Sequence, residues 1–321
     1  VIDHYEGAGG PLDRVSVTGI RARGFHGVLE QEKQDGQDFS CDVHLHLSVV
    51  RAGRSDDLLD AVDYSVVARK AFDVLAGPSL DLVETVAQRI AASVLQDERV
   101  RAVEVVVHKP QAPVGVPFDD VAIRVFRTRD DAVADTVPER PVRAVLGLGA
   151  NLGDAHATLH QAVLDLSGVE GLTVLESSPV VDSVPVGGPQ QEHYLNAVLL
   201  VETTLAPRAL LHACQDVEAG HGRTREVRWG PRTLDVDVVS ISRGDGAGLT
   251  LSTVDLDLPH PRAAGRRFVL LPWSLVDLQA RLLDFDEERL VADLLEEALD
   301  DEDDVVVRPD LALPFGLPAT G

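Results

Sequence analysis

Apolar and polar residues alternate strictly along residues 39–49. Phe39, Cys41, Val43, Leu45, Leu47 and Val49 hold one phase; Ser40, Asp42, His44, His46 and Ser48 hold the other. A period of two predicts a strand with one buried face. Residues 14–23, 100–108 and 121–127 are further apolar runs and read as strands. Two helical stretches lie between them. In the second, Leu82, Val86, Ile90 and Val94 recur every four residues, the stripe of a helix that buries one face. The order strand, strand, helix, helix, strand, strand favours an α+β unit with an antiparallel sheet.

Beyond residue 143 the pattern changes. AVLGLG (144–149), residues 172–184, YLNAVLLVET (194–203) and TLDVDVVSI (233–241) read as strands, with helices over 154–167 and 207–220. That order, βαββαβ, is the pattern of a ferredoxin-like sheet. Residues 287–299 predict an added acidic helix. The polar stretch TRDDAVADTVPERPVR (128–143), with two prolines, predicts a linker. The boundaries expected are a first domain over 13–128, a linker over 129–142, a second domain over 143–304 and a loose tail over 305–321. Residues 1–12 read as a loose leader. A length of 321 residues, at about 150 per domain, agrees with two domains.

Charge narrows the partners. Lys and Arg total 29 against 53 Asp and Glu, a net charge of −24, so nucleic acid and anionic membrane are poor partners. Residues 284–304 hold twelve acids and one arginine, which reads as a solvated helix face and tail. No run approaches the ~18 apolar residues of a membrane span. The first residues lack the basic flank and apolar core of a signal peptide. Cys41 and Cys214 lie far apart and form no CxxC, so a reducing cytoplasm is expected.

Several motifs bear on chemistry. VLGLGANLGD has glycines at 147, 149 and 153, but a dinucleotide fingerprint needs the third at 152, where Leu152 stands. No P-loop pattern occurs. GRTREVRWGPRTLDVDVV (222–239) places Arg223, Arg225, Arg228 and Arg232 within ten residues of an acidic chain. Guanidinium groups grip phosphate oxygens in pairs. Asp235 and Asp237 follow on a predicted strand, where residues two apart share a face. Such a carboxylate pair suits a magnesium ion shared with substrate phosphates. Arginines beside it make a nucleotide triphosphate site.

This segment resembles the 6-hydroxymethyl-7,8-dihydropterin pyrophosphokinase family of folate biosynthesis. The resemblance extends through GLGANLGD, SVPVGGPQQEHYLNAV, VEAGHGR and PHPRAAGRRFVLLP, roughly residues 143–280. It implies transfer of pyrophosphate from ATP to the pterin hydroxymethyl group, releasing AMP. It implies that Asp235 and Asp237 hold two magnesium ions and that Arg223 and Arg232 stabilise the phosphates. Asn196 would bond the pterin edge, Phe268 would stack on its ring, and Trp229 would belong to a catalytic loop. Glu218, Arg225, His260 and Arg266 would lie on the ATP side. The chain departs from some relatives in having only three residues between Arg225 and Trp229. It also has Pro261 where the family has a tyrosine.

The first half has fainter signals: GFHGVLEQEK (24–33), Tyr64 in AVDYS, Glu84 in LDLVETVAQRIA and Lys109 in VVVHKPQAP. His44 and His46 share a strand face without a third ligand, so they read as solvent-face residues, not zinc ligands. Together the pieces resemble dihydroneopterin aldolase over roughly residues 14–127, a family with the tunnelling fold. The resemblance implies retro-aldol cleavage of 7,8-dihydroneopterin to glycolaldehyde and 6-hydroxymethyl-7,8-dihydropterin, with no metal or other cofactor. It makes Lys109 the general base, Tyr64 a proton-relay phenol, Glu32 an orienting carboxylate and Glu84 the pterin anchor. It also implies a homo-oligomer, a tetramer ring or octamer, in which Tyr64 can serve a neighbour's pocket. Two alternatives stay open: the first half as an oligomerisation scaffold, or as mainly an epimerase.

Overall fold

The computed structural model describes residues 6–7, 10–184, 192–222, 233–284, 287–298 and 305–316. The chain forms two compact units, Val1–Ala132 and Val133–Gly321.

In the first unit, β1 (Asp13–Gly24), β2 (Gln37–Leu47), β3 (Ala102–His108) and β4 (Ala122–Thr128) form one antiparallel sheet in chain order. Helices α1 (Tyr64–Leu75) and α2 (Val83–Val94) connect β2 to β3. The alternation read in β2 is the packing: Phe39, Cys41, Val43, Leu45 and Leu47 are buried among Ala71, Leu75, Val86, Ile90 and Val94 of the helices. Burial raises the Cys41 thiol to about 12, so it is an inert core group.

The opposite face of this sheet is more enclosed than its polarity suggests. His46 is fully buried and meets the Phe126 ring edge-on at 5.6 Å, which corrects its reading as a solvent-face residue. Glu104, opposite His44 in the ladder, is also buried and pairs with Arg124 at 3.1 Å. Long neighbouring side chains cover this face, which period-two counting assigns to water.

In the second unit, β5 (Val142–Ala150), α3 (Ala155–Ser167), β6 (Leu172–Ser177), β7 (Val180–Ser183), β8 (Tyr194–Thr203), α4 (Pro207–Gly220) and β9 (Asp235–Ile241) follow in order. The sheet runs β9-β5-β8, with both β6 and β7 antiparallel to β8. This is the ferredoxin-like order, in which the first and third strands occupy the centre. The strand expected over 172–184 is split at Ser178–Pro179. Proline has no N–H for the ladder, and the Ser178 hydroxyl instead accepts from the Val198 N–H at 2.9 Å.

Helices α3 and α4 cover one sheet face through Leu159, Val163, Leu166, Leu210 and Cys214. The other face is covered by a layer the sequence reading lacked. Helix α5 (Arg267–Val276) places Val269, Leu270, Trp273 and Val276 against Val145, Val198 and Val239. Its apolar run is nearly continuous and contains Pro272, so no helical stripe stands out.

Three further expectations change. The linker begins as a short helix, Arg129–Ala134. Thr128 Oγ1 accepts from the Asp131 N–H and the Asp131 carboxylate accepts from the Thr128 N–H, a reciprocal cap. The acidic helix expected over 287–299 begins instead as a strand, Glu287–Leu290. That strand pairs with Arg281–Asp284, and helix Val291–Glu297 starts only where Val291 and Leu294 reach the core. The tail expected to be loose supplies β10 (Val305–Arg308), which pairs with β7 at the sheet edge, and Leu313 is buried in the core. Three consecutive valines suit an exposed edge that has unpaired backbone groups. Among the described residues no helix is long and apolar enough to cross a membrane.

Candidate active sites

In the first unit the polar cluster forms where β3 ends. Lys109 follows His108, and its backbone N–H donates to the Val121 carbonyl at 2.8 Å. Its side chain turns inward, 7 % exposed, with Nζ 5.9 Å from the Phe39 ring centre. Nζ donates to Glu32 Oε1 at 2.6 Å and reaches the His26 carbonyl at 3.4 Å. Glu32 lies on the short helix Glu30–Asp35 and also accepts from the Leu29 N–H at 3.1 Å and Gln37 Nε2 at 3.2 Å. Burial pushes the Glu32 carboxyl up, but Lys109 and these two donors outweigh it and hold it below the usual carboxylate range. Gly27, at φ +151°, makes the approach possible, because any side chain there would run into the Glu32 carboxylate.

Tyr64 and Glu84 stand in the first turns of α1 and α2. Both are exposed, and neither hydrogen-bonds Lys109 or Glu32 among the described residues. The unit thus brings together Lys109 and Glu32 and presents Tyr64 and Glu84 outward. Sequence reasoning gave no role to Gln37 or to His26. The only signal for His26 was its place in GFHG.

In the second unit the cluster spans three adjacent strands. Asp235 pairs with Gly149 of β5, and Gly149 pairs with Asn196 of β8. Asp235 and Asp237 alternate with buried Leu234, Val236 and Val238, so both carboxylates lie on one face, with Cα atoms about 7 Å apart. On the same side, Asp237 Oδ2 lies 3.4 Å from Arg266 and 3.8 Å from His260. Burial pushes His260 down, and Asp237 partly opposes this. The Arg266 guanidinium rests 5.4 Å from the Phe268 ring centre at the entry to α5.

Asn196 is buried, and its side-chain amide donates to the Ser183 hydroxyl at 2.8 Å. A Cβ at Gly149 would stand 3.0 Å from Asn196 Oδ1, so glycine leaves room for the amide. Ser183 lies within the strand expected over 172–184, but nothing in the sequence marks it as the partner of Asn196. Glu218 sits differently from the other nucleotide-side candidates. Its carboxylate is buried at the end of α4 and accepts from the Val236 N–H at 2.7 Å, between the two aspartates. Arg223, Arg225, Trp229 and Arg232 lie outside the described residues.

The aspartate pair suits a hard divalent cation. Two carboxylates share an accessible sheet face with cations alongside, and magnesium characteristically takes one or two carboxylates together with phosphate oxygens. Among the described residues no group of three or more His, Cys, Asp or Glu side chains could hold a metal alone.

Comparison with known proteins gives each unit a family. Both are families of pterin enzymes. Residues 15–126 match the model described as dihydroneopterin aldolase, and residues 145–278 match 7,8-dihydro-6-hydroxymethylpterin-pyrophosphokinase. The chain is 48 % identical over 118 residues to a dihydroneopterin aldolase of Streptomyces coelicolor, covering 37 % of this chain and 99 % of that one. It is 42 % identical over 130 residues to a 2-amino-4-hydroxy-6-hydroxymethyldihydropteridine pyrophosphokinase of Methylorubrum extorquens, covering 40 % of this chain and 79 % of the other. A pyrophosphokinase of Mycobacterium bovis is 40 % identical over 145 residues, covering 44 % and 75 %. The chain therefore belongs to the dihydroneopterin aldolase family through its first unit and to the hydroxymethyldihydropterin pyrophosphokinase family through its second.

Proposed function

We propose that this chain carries out two successive steps of folate biosynthesis on one pterin. The first unit cleaves 7,8-dihydroneopterin to glycolaldehyde and 6-hydroxymethyl-7,8-dihydropterin. The second transfers pyrophosphate from ATP to that hydroxymethyl group and releases AMP. The observation that carries this reading is the presence of both families in one chain, covering 99 % and 79 % of the two relatives named first.

In the first step Glu84 anchors the pterin by accepting two parallel N–H bonds. Acting as the neutral amine, Lys109 Nζ takes the side-chain hydroxyl proton and becomes the ammonium that Glu32 holds, the carbon–carbon bond breaks, and glycolaldehyde leaves. The conjugated ring holds the electron pair until the carbon is reprotonated, with Tyr64 relaying the proton. Glu32 fixes Lys109 Nζ and orients substrate and water. A homo-oligomer would let Tyr64, exposed on its own unit, face the pocket of a neighbour.

In the second step the Asn196 amide reads the pterin edge and Phe268 stacks on the ring. Arg266 and His260, beside Asp237, face the phosphates; by family resemblance Arg223, Arg225 and Arg232 serve the phosphates and Trp229 belongs to the catalytic loop. Glu218 acts one step removed, by fixing the Val236 amide between the aspartates. Asp235 and Asp237 would hold two magnesium ions, which supply charge neutralisation of the triphosphate when bound.

One incubation tests the whole reading: 7,8-dihydroneopterin as the only pterin, with ATP and magnesium, followed for AMP and glycolaldehyde. Both products should appear. Absence of AMP, with AMP restored by added 6-hydroxymethyl-7,8-dihydropterin, would remove the aldolase assignment. Asp235→Asn or Asp237→Asn should abolish AMP formation and spare glycolaldehyde release. A variant with wild-type AMP formation would refute the metal assignment.

A further inference from the structure

His26 is fully buried, and both of its ring nitrogens engage backbone groups. Nδ1 accepts from the Leu80 N–H at 3.2 Å, and Nε2–H donates to the Leu75 carbonyl at 2.9 Å. A backbone amide only donates and a carbonyl only accepts, so this ring is neutral with its proton on Nε2. Leu75 ends α1, and Leu80 lies in the loop that leads into α2 and Glu84.

The same loop is stitched to residues 25–33 at three more points. The Gly27 N–H donates to the Leu80 carbonyl at 2.9 Å, the Ser79 hydroxyl donates to the Phe25 carbonyl, and Lys33 pairs with Asp81 at 2.7 Å. On its other side the His26 carbonyl lies 3.4 Å from Lys109 Nζ. His26 therefore stands where the loop entering the Glu84 helix meets the segment that supports Lys109 and Glu32. An apolar side chain could fill the space against Phe39, whose ring lies 5.3 Å away edge-on. Only a group that both accepts and donates satisfies Leu80 and Leu75 together. Burial holds the imidazole below its ordinary pKa. Lys109 and Arg89, the cations facing it, act in the same direction, while the Leu75 and Val74 carbonyls oppose.

We propose that His26 is a positioning residue for the retro-aldol step: as a neutral Nε2–H tautomer it fixes the spacing between the Glu84 helix and Lys109. The inference rests on the roles given to Glu84 and Lys109 above. Loss of the tie leaves both side chains present but misaligned, and misalignment lowers turnover more than binding.

Two variants of the full chain separate geometry from bulk. His26→Phe keeps a ring and loses both bonds. His26→Gln has an amide that can accept from Leu80 and donate to Leu75. For His26→Phe, kcat for dihydroneopterin cleavage should fall by about tenfold or more, with KM changed by less than about threefold. His26→Gln should recover most of the rate, and AMP formation from supplied 6-hydroxymethyl-7,8-dihydropterin should stay unchanged in both. Wild-type kcat in His26→Phe, or equal losses in the two variants, overturns the proposal. Should His26→Phe fail to fold, 15N histidine NMR of the wild-type chain decides. A protonated Nε2 and bare Nδ1 that persist as the pH falls from 8 through about 6.5 is the expected signature; an Nδ1–H tautomer or ordinary titration near 6.5 overturns the proposal. A Lys109→Ala arm isolates the underlying reading. Cleavage retained there removes the assigned site itself, whereas cleavage lost there beside normal His26→Phe kinetics removes only the positioning role.

Discussion

At the scale of single residues, the first unit depends on a buried ion pair whose two partners need each other. Lys109 and Glu32 expose 8 % and 9 % of their side chains. Removing one partner leaves the other's charge in a poorly solvated site, which costs about 3–5 kcal/mol. Lys109→Ala should therefore lower the denaturation midpoint of this unit as well as reduce cleavage by roughly 10²–10⁴-fold. Activity lost with an unchanged midpoint would mean that the pair is not buried in solution. The pair also sets a pH response. Glu32 sits below its unfolded pKa, so its contribution is present above about pH 4.5 and is lost as pH falls through the folded value. His26 is also lowered, so the unfolded chain binds a proton first, and stability declines as pH falls below about 6.5. Both effects have the same sign. A chemical denaturation series from pH 7 to about pH 3 should show the midpoint of the first unit fall once the pH drops below about 6.5 and fall further below about 4.5, and a flat series would contradict both.

At the scale of elements, the C-terminal strand is tied to the strand that supports Asn196, the residue proposed above to read the pterin edge. β10 pairs Val305 with Ser183 and Val307 with Val181, and Ser183 in turn accepts from Asn196. Arg308 adds an ion pair to Asp182 at 3.5 Å, and the His156 side chain meets the Ala312 carbonyl at 2.9 Å. A chain ending at residue 304 would expose the β7 edge and lose buried Leu313. It should show a several-fold higher KM for 6-hydroxymethyl-7,8-dihydropterin and unchanged cleavage of dihydroneopterin. Steady-state kinetics of both reactions would check this, and an unchanged pterin KM would mean that β10 has no hold on Asn196.

At the scale of the whole molecule, each unit closes its own hydrophobic core. One core runs from Ala22 to Val107, and the other two draw only on residues from Ala134 onward. Among the described residues each of these clusters is built from one unit alone, so damage to one site should leave the other intact. A chain carrying Lys109→Ala mixed with one carrying Asp235→Asn should therefore form AMP from dihydroneopterin, after a lag while free 6-hydroxymethyl-7,8-dihydropterin accumulates. If the mixture makes no AMP while each variant keeps its remaining activity, the intermediate does not pass through solvent.

The sequence by itself determined the two-unit plan, because period two and period four are local consequences of which face is buried. Phe39 to Leu47 and Leu82 to Val94 carry those periods openly. The carboxylate pair was equally legible, since Asp235 and Asp237 are fixed to one face by strand geometry alone. Tertiary structure decided what local patterning cannot express. It put Glu32, 77 residues before Lys109, at 2.6 Å from its ammonium. It placed Glu218 against the Val236 amide and laid residues 305–308 along β7. It buried His46, which strand alternation places on the polar face, and His26, which no local pattern places at all. In each case the deciding contact joins segments far apart in the chain. Such contacts leave no periodic signal in either segment.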